Sequence, residues 1–422
     1  MRNEKFKIQS ALCILLFVSC YIWLFDGIIG WKRVTFLVML SGLLILCTKK
    51  FSVSKSALIW LLYPTVIIIS LVINNALNNW SIFMFLMYLV IILYSLLINY
   101  DLSIFRTGIL FLAGVGLFHA CFVIVHFLSR NQFTDSYFPL LRYNGAYDTA
   151  MFYAERNYYF GLNYKPHEVA GIIVISMSVF FIWGMLQTNL KKKVIYLLPA
   201  LMMIPLLLTG KKGVTACMAV VFVVIVLVRY ISQRQWLKIG VVIGISILLM
   251  ILGIWYIMTH LDNPLFSRFA SFFTNLVNGE SIDSGRGRIR DSAFQLWSEN
   301  KLLGVGWFQF NNYTVERFGF SRTHSVNLDY LQFLCETGVF GFVLMMTPII
   351  VTLKRTIQVW RNTLHTDTDP KNQWIIYFAV FVQLFTVLYA FIEVPFYDLM
   401  YFTIYIFSCM IINNAYEQKI IN

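Results

Sequence analysis

A chain of 422 residues that is 59% hydrophobic and only 13% charged does not have the make-up of a soluble domain, in which about a quarter of residues are charged. The formal net charge of +13 does not point to nucleic acid, because the Lys and Arg sit in short clusters between apolar runs, where they orient a chain in a bilayer. Mean hydropathy is +0.72, and all seven cysteines lie inside apolar runs, so neither a disulfide framework nor a zinc site is expected.

At about 20 apolar residues per membrane helix, the sequence predicts twelve spans. The first six are roughly 8–25, 33–47, 57–76, 80–98, 104–128 and 167–187. The second six are roughly 194–209, 213–230, 238–258, 329–353, 373–392 and 396–415. The first run follows Met1-Arg-Asn-Glu-Lys-Phe-Lys with no small-residue cleavage site, and reads as a retained span rather than a removed signal peptide. With the N-terminus inside, Lys49, Lys50, Lys55, Arg106, Lys191, Lys192, Lys193, Arg229, Arg234, Lys238, Lys354, Arg355, Arg361 and Lys419 all fall on the cytoplasmic side, while Ile73–Trp80 carries no basic residue. Both termini are therefore expected inside. The expected fold is an all-α polytopic membrane protein: nine helices over 1–258, a large extracytoplasmic loop over 259–328 and three helices over 329–422.

Two pairs of cations break the charge rule. Lys32 and Arg33 follow the first span and can snorkel at an interface. Lys211 and Lys212, in Leu208-Thr-Gly-Lys-Lys-Gly-Val, lie between two apolar runs on the outer side. Snorkelling competes there with a second reading, in which one of them faces an anionic ligand.

The outer segment Ser129–Pro166 is dense in aromatics, among them Tyr137, Phe138, Tyr143, Tyr147, Phe152, Tyr153, Tyr158, Tyr159 and Tyr164. Such rings form interfacial belts, and they also stack on the C–H faces of sugars. No internal repeat or nucleotide-binding glycine loop is present; Gly304-Val-Gly306 lacks a phosphate-loop continuation. Lys354–Gln373, with Asp367 and Asp369, reads as a solvated connector.

The 259–328 loop holds seven Lys/Arg and six Asp/Glu, so it is not a polybasic tail. Its arginines are bunched: Arg268 stands apart, and Arg286, Arg288 and Arg290 follow Asp283-Ser284-Gly285. A helix beginning near Ser284 would put Arg286 and Arg290 on one face, with Ser284 as its cap. Helix N-termini attract phosphate, and Arg binds it through two parallel bonds. Singly, each arginine has Asp283, Asp291 or Glu299 as a salt-bridge partner; as a cluster they suit an anion.

Ser284-Gly-Arg286, Ala293, Leu302-Leu-Gly-Val-Gly306, His324 and Tyr330-Leu-Gln-Phe-Leu-Cys-Glu336-Thr-Gly338-Val-Phe-Gly341 together resemble the O-antigen ligase/polymerase (Wzy/WaaL-like) superfamily. The motif detail covers roughly 205–345. The resemblance implies a GT-C-like glycosyltransferase of the bacterial cytoplasmic (inner) membrane, with its active site on the outer face. It implies undecaprenyl-pyrophosphate-linked oligosaccharides as substrates, a flippase and a chain-length regulator as partners, no cofactor, no metal and no nucleic acid. Arg286 matches the family's loop arginine. Lys212 stands where the family has Arg, which keeps the charge and loses the fork, so Lys211 and Lys212 both stay open as phosphate ligands, alongside Arg290 and Arg322. Asn327 occupies the usual His position, and His324 lies one turn earlier if the stretch is helical. Glu336 reads as a supporting residue of the helix. The expected chemistry is metal-independent, inverting transfer, with cations stabilising the leaving pyrophosphate and His324 taking the acceptor proton. Polymerase and ligase share this machinery; the aromatic segment tilts the reading to polymerase. A transporter is the alternative from another class, and it lacks the expected inverted repeats.

Overall fold

A computed structural model describes residues 28, 53–97, 102–143, 145–187, 189–260, 274, 278, 286–321, 323–365 and 370–421. The predicted spans 8–25 and 33–47 lie outside the described residues, as do Arg268, Asp283, Ser284, Gly285 and Arg322. Among the described residues the secondary structure is helical, with no strand.

The apolar helices among the described residues follow from the apolar runs of the sequence. They are α1 (Leu62–Ile73, led in by a 3-10 turn at Leu58–Leu61), α2 (Asn79–Leu97), α3 (Leu102–Leu128), α6 (Pro166–Leu186), α7 (Leu197–Leu208), α8 (Lys212–Ser232), α9 (Trp236–Thr259), α12 (Asp329–His365), α13 (Pro370–Tyr389) and α14 (Leu399–Ile421). Eight of these are long and apolar enough to cross a membrane, while α1 with its lead-in and α7 are shorter. Four more helices lie in the polar segments: α4 (Arg130–Tyr137), α5 (Ala146–Ala154), α10 (Gly287–Glu299) and α11 (Phe310–Glu316).

The chain divides into two compact units. One comprises 1–38, 103–282 and 360–385; the other comprises 39–102, 283–359 and 386–422. The division falls inside α12 and α13.

In the first unit α6 is the central helix and is buried along most of its length. It meets α3 closely at one point, where a Cβ on Gly116 would stand 2.3 Å from Ser176 Cβ. The Ser176 hydroxyl donates to the Ala113 carbonyl at 2.6 Å. Small residues let membrane helices approach and their hydroxyls hold them together. Helix α13 adds to this group through Trp374, whose Nε1 donates to the Val179 carbonyl, and through Phe381, which packs on Phe222 of α8.

In the second unit the core is aromatic: Trp60, Tyr63, Tyr88, Trp307, Phe333, Tyr397, Phe402 and Tyr405 are all buried. The polar stretch 286–328 is folded against it by its own apolar face. Helix α10 is amphipathic, and its buried Ile289, Ala293 and Leu296 pack with Val305, Phe310, Val326 and Cys335.

Candidate functional site

The two glycine motifs of the sequence meet each other. Helix α12 is broken at Gly338 (φ 67°, ψ −175°), a conformation open in practice only to glycine. At the break its main-chain bonds are exchanged with residues 301–306. The Cys335 and Glu336 carbonyls accept from Val305 N–H (3.1 Å) and Gly306 N–H (2.9 Å), while Val339 N–H and Phe340 N–H donate to the Lys301 and Leu302 carbonyls (2.9 and 3.4 Å). Ser70 of α1 joins in, donating to the Glu336 carbonyl and accepting from Trp307 N–H. The approach leaves no room for side chains: a Cβ on Gly338 would lie 2.2 Å from the Leu302 carbonyl oxygen, and one on Gly304 would lie 2.4 Å from the Glu336 carbonyl carbon.

Glu336 points into this crossing and is fully buried. Its carboxylate accepts from Phe308 N–H (2.9 Å), Phe310 N–H (3.3 Å), Gln332 Nε2 (3.2 Å) and the Tyr397 hydroxyl (2.7 Å). Four donors around one buried carboxylate satisfy its oxygens. Burial pushes the Tyr397 phenol well above its usual range, so it stays protonated and donating. Gln332 in turn accepts from Val326 N–H with its Oε1.

Arg286 is tied to the turn between α13 and α14. Its Nη1 donates to the Ile392 carbonyl at 3.2 Å and its Nη2 donates to Glu393 Oε1 at 2.9 Å. The same turn is held by Asp329, whose N–H donates to the Ala390 and Glu393 carbonyls and whose Oδ2 accepts from Phe396 N–H at 2.8 Å. Asp329 is buried, and its Oδ1 has no hydrogen-bond partner among the described residues. Asp329, Gln332, Glu393 and Tyr397 were not singled out from the sequence. The signal that could have found the acids is a carboxylate at or near a membrane span, which is costly unless used.

The helix expected to start near Ser284 instead runs Gly287–Glu299, with Arg286 as its N-cap residue and no side-chain cap bond. Arg286 therefore precedes the helix, and its side chain turns toward Glu393. Arg288 goes elsewhere: its Nη2 donates to the Phe318 carbonyl at 2.9 Å and its guanidinium lies over the Phe320 ring. Arg290 is half-buried, and its Nε has no hydrogen-bond partner among the described residues.

The stretch carrying His324 is not helical; residues 323–328 are irregular and α12 begins at Asp329. Asn327 takes a left-handed backbone conformation (φ 55°), so His324 and Asn327 are not one helical turn apart. His324 is half-buried, its main-chain N–H donates to Thr314 Oγ1 at 3.2 Å, and its ring packs edge-on to Phe320. Arg288 and His324 thus share Phe320 as a neighbour.

In the other unit, Lys211 is the N-cap of α8 and Lys212 its first residue. A helix N-terminus with lysines beside it favours an anion. Lys211 Nζ lies 5.4 Å from the Tyr153 ring centre and 5.6 Å from that of Tyr158, within cation–π range. Tyr159 N–H donates to the Leu208 carbonyl at 3.1 Å. The aromatic segment is therefore packed on the lysine turn. It also divides in two: Tyr137, Phe138, Tyr159 and Tyr164 are buried, and Tyr143 and Tyr147 are exposed.

Residues 197–346 match the model of a protein family described as O-antigen ligase. No curated protein matches the chain. The matched stretch takes in Lys211, Lys212, Arg286, Arg290, Arg322, His324, Asn327 and Glu336. It supports the O-antigen ligase/polymerase superfamily that the motifs resemble, and the eight apolar helices of membrane length are consistent with a multi-pass membrane protein.

Proposed function

Starting from the O-antigen ligase match, we propose that this chain polymerises undecaprenyl-pyrophosphate-linked oligosaccharide repeat units at the outer face of the bacterial cytoplasmic membrane. The observation that carries the reading is that one matched segment, 197–346, holds both sets of bunched cations, Lys211 and Lys212 on one unit and Arg286 and Arg290 on the other. In the transfer, the bond from the anomeric carbon to the pyrophosphate oxygen breaks and a bond to the acceptor hydroxyl oxygen forms with inversion. The lipid pyrophosphate leaves with the electron pair, and cations around it stabilise the growing charge. His324 takes the acceptor proton on a ring nitrogen. Arg286 serves as a pyrophosphate ligand, with Glu393 as the carboxylate it would exchange for the incoming anion. Lys211, Lys212, Arg290 and Arg322 are assigned to the same ligand class.

The aromatic segment packed on Lys211 favours a polymerase, which has to hold glycan on a second surface. The description of the matched family favours the second reading, transfer of the finished glycan to lipid A core. One experiment separates them. The protein in nanodiscs is given the lipid-linked repeat unit alone, then with core lipid added. A ladder of extended products from the repeat unit alone supports the polymerase, product formed only with core lipid supports the ligase, and no transfer in either sinks both. In cells, Arg286→Ala is expected to abolish chain extension while the protein still reaches the membrane; normal long polymer would overturn the role given to Arg286. His324→Ala is expected to be inactive, and an active His324→Ala beside a dead Asn327→Ala moves the base to the Asn327 position.

A further inference from the structure

Helices α4 and α5 line an open cleft of about 360 Å³, to which α4 contributes Arg130, Asn131, Thr134 and Asp135 and α5 with its C-cap contributes Met151, Ala154 and Glu155. The volume is in the range of small-ligand sites, about 300–1,000 Å³. Arg130 is fixed across the two helices: its Nη1 donates to Asn157 Oδ1 and its Nη2 donates to the Ala154 carbonyl, both at 2.7 Å. Its remaining N–H donors have no acceptor among the described residues. Asp135 and Glu155 make no hydrogen bond or ion pair among the described residues, although they line the same cleft as a guanidinium.

A cation and two carboxylates that share a cleft without touching say what kind of molecule fits between them. At contact distance they would attract by about 1–4 kcal/mol; here Arg130 is instead bonded to Asn157 and Ala154, and the two carboxylates stay exposed. An anion placed there meets two carboxylates, and a simple cation meets Arg130. A neutral molecule that presents O–H donors to the carboxylates and oxygen lone pairs to the guanidinium satisfies both. Met151 and Ala154 add apolar surface for C–H groups. Polar groups of both kinds over an apolar patch match a pyranose ring.

We propose that the α4–α5 cleft is a saccharide subsite, which holds a neutral sugar of the glycan. The assignment rests on the reading that glycans are the substrates. It is tested on the full-length protein in nanodiscs by hydrogen–deuterium exchange, with the free oligosaccharide released by mild acid from the producing cells' own lipid-linked pool as the probe. Peptides covering 130–137 and 146–155 are expected to exchange at least about threefold more slowly with the oligosaccharide present. That protection is expected to vanish in Asp135→Asn/Glu155→Gln, whose amides keep the shape of exposed side chains and remove the charge. No protection of these peptides in the wild type, or the same protection in the double variant, overturns the subsite. A transfer assay on the same samples keeps the two readings apart: absent transfer with the protection intact counts against the proposed function alone.

Discussion

The crossing of residues 301–306 with α12 and the α4–α5 segment are both polar structures beside membrane helices, and they are held in opposite ways. In the first, main chain bonds to main chain across a helix break, and Gly304 and Gly338 are needed because a Cβ would strike backbone at 2.4 and 2.2 Å. In the second, side chains bond to main chain and to rings: Arg130 holds Asn157 and Ala154, Tyr137 donates its hydroxyl to the Leu162 carbonyl, and Phe133 stacks on His126. Main-chain contact prescribes a residue type at fixed positions. Side-chain contact can be met by many residues. The first region therefore leaves a motif in the sequence, and the second leaves only a composition.

The contrast is open to measurement. The largest expected effect is from Gly338→Ala. Its backbone conformation alone costs about 1–3 kcal/mol for a non-glycine residue, and the carbonyl clash adds to that, so the variant should fail to give folded, monodisperse protein after extraction. A variant with wild-type thermal stability would show that the crossing tolerates a side chain. Glu336→Ala should follow, losing about 3 kcal/mol or more by stranding buried N–H and O–H donors, read as a drop in thermal midpoint. Glu336→Gln, which keeps an acceptor oxygen, should lose less. Arg130→Ala should cost about 1–3 kcal/mol and act locally: faster limited proteolysis between α4 and α5, with little change in the global midpoint. A global collapse would make the side-chain-held region as demanding as the glycine crossing.

The smallest expected effect is at the surface. The Arg317 guanidinium hydrogen-bonds Glu299 and holds its carboxyl below the usual carboxylate range, with help from Gln295. A lowered folded pKa means that the pair's contribution is present above the unfolded carboxyl value, about 4, and is lost as the pH falls through the lowered one. The midpoint difference between wild type and Glu299→Gln should therefore be small at neutral pH and vanish in acid. A difference that grows in acid would remove the pair from the account.

The spans that fall on described residues were legible because apolar runs of membrane length have few alternatives to helix. Lys211 and Lys212 stood out because they go against the charge rule in the topology expected from the sequence, and the arginine bunch stood out because it is bunched. What stayed hidden depends on long-range pairing. Arg286 finds Glu393 across more than a hundred residues of chain, and no local pattern records it. The α12 break looks like one glycine in an apolar run until its partners at 301–306 are known. The irregular stretch before α12 hid the relation of His324 to Asn327, since helical spacing does not apply there. Helices α4 and α5 were masked by their aromatic content, which reads as an interface belt before it reads as two short helices.

The exchanged bonds at Gly338 also bear on how the molecule opens. Four main-chain bonds join 301–306 to both halves of the broken helix, so neither half can fray without exposing polar groups of the other segment. The amides of Val305, Gly306, Val339 and Phe340 should then belong to one cooperative opening unit and become exchangeable together. Thermal motion that separates the polar stretch from α12 would have to uncover all four at once, which makes this crossing a hinge that resists graded bending and yields only by a single all-or-none step.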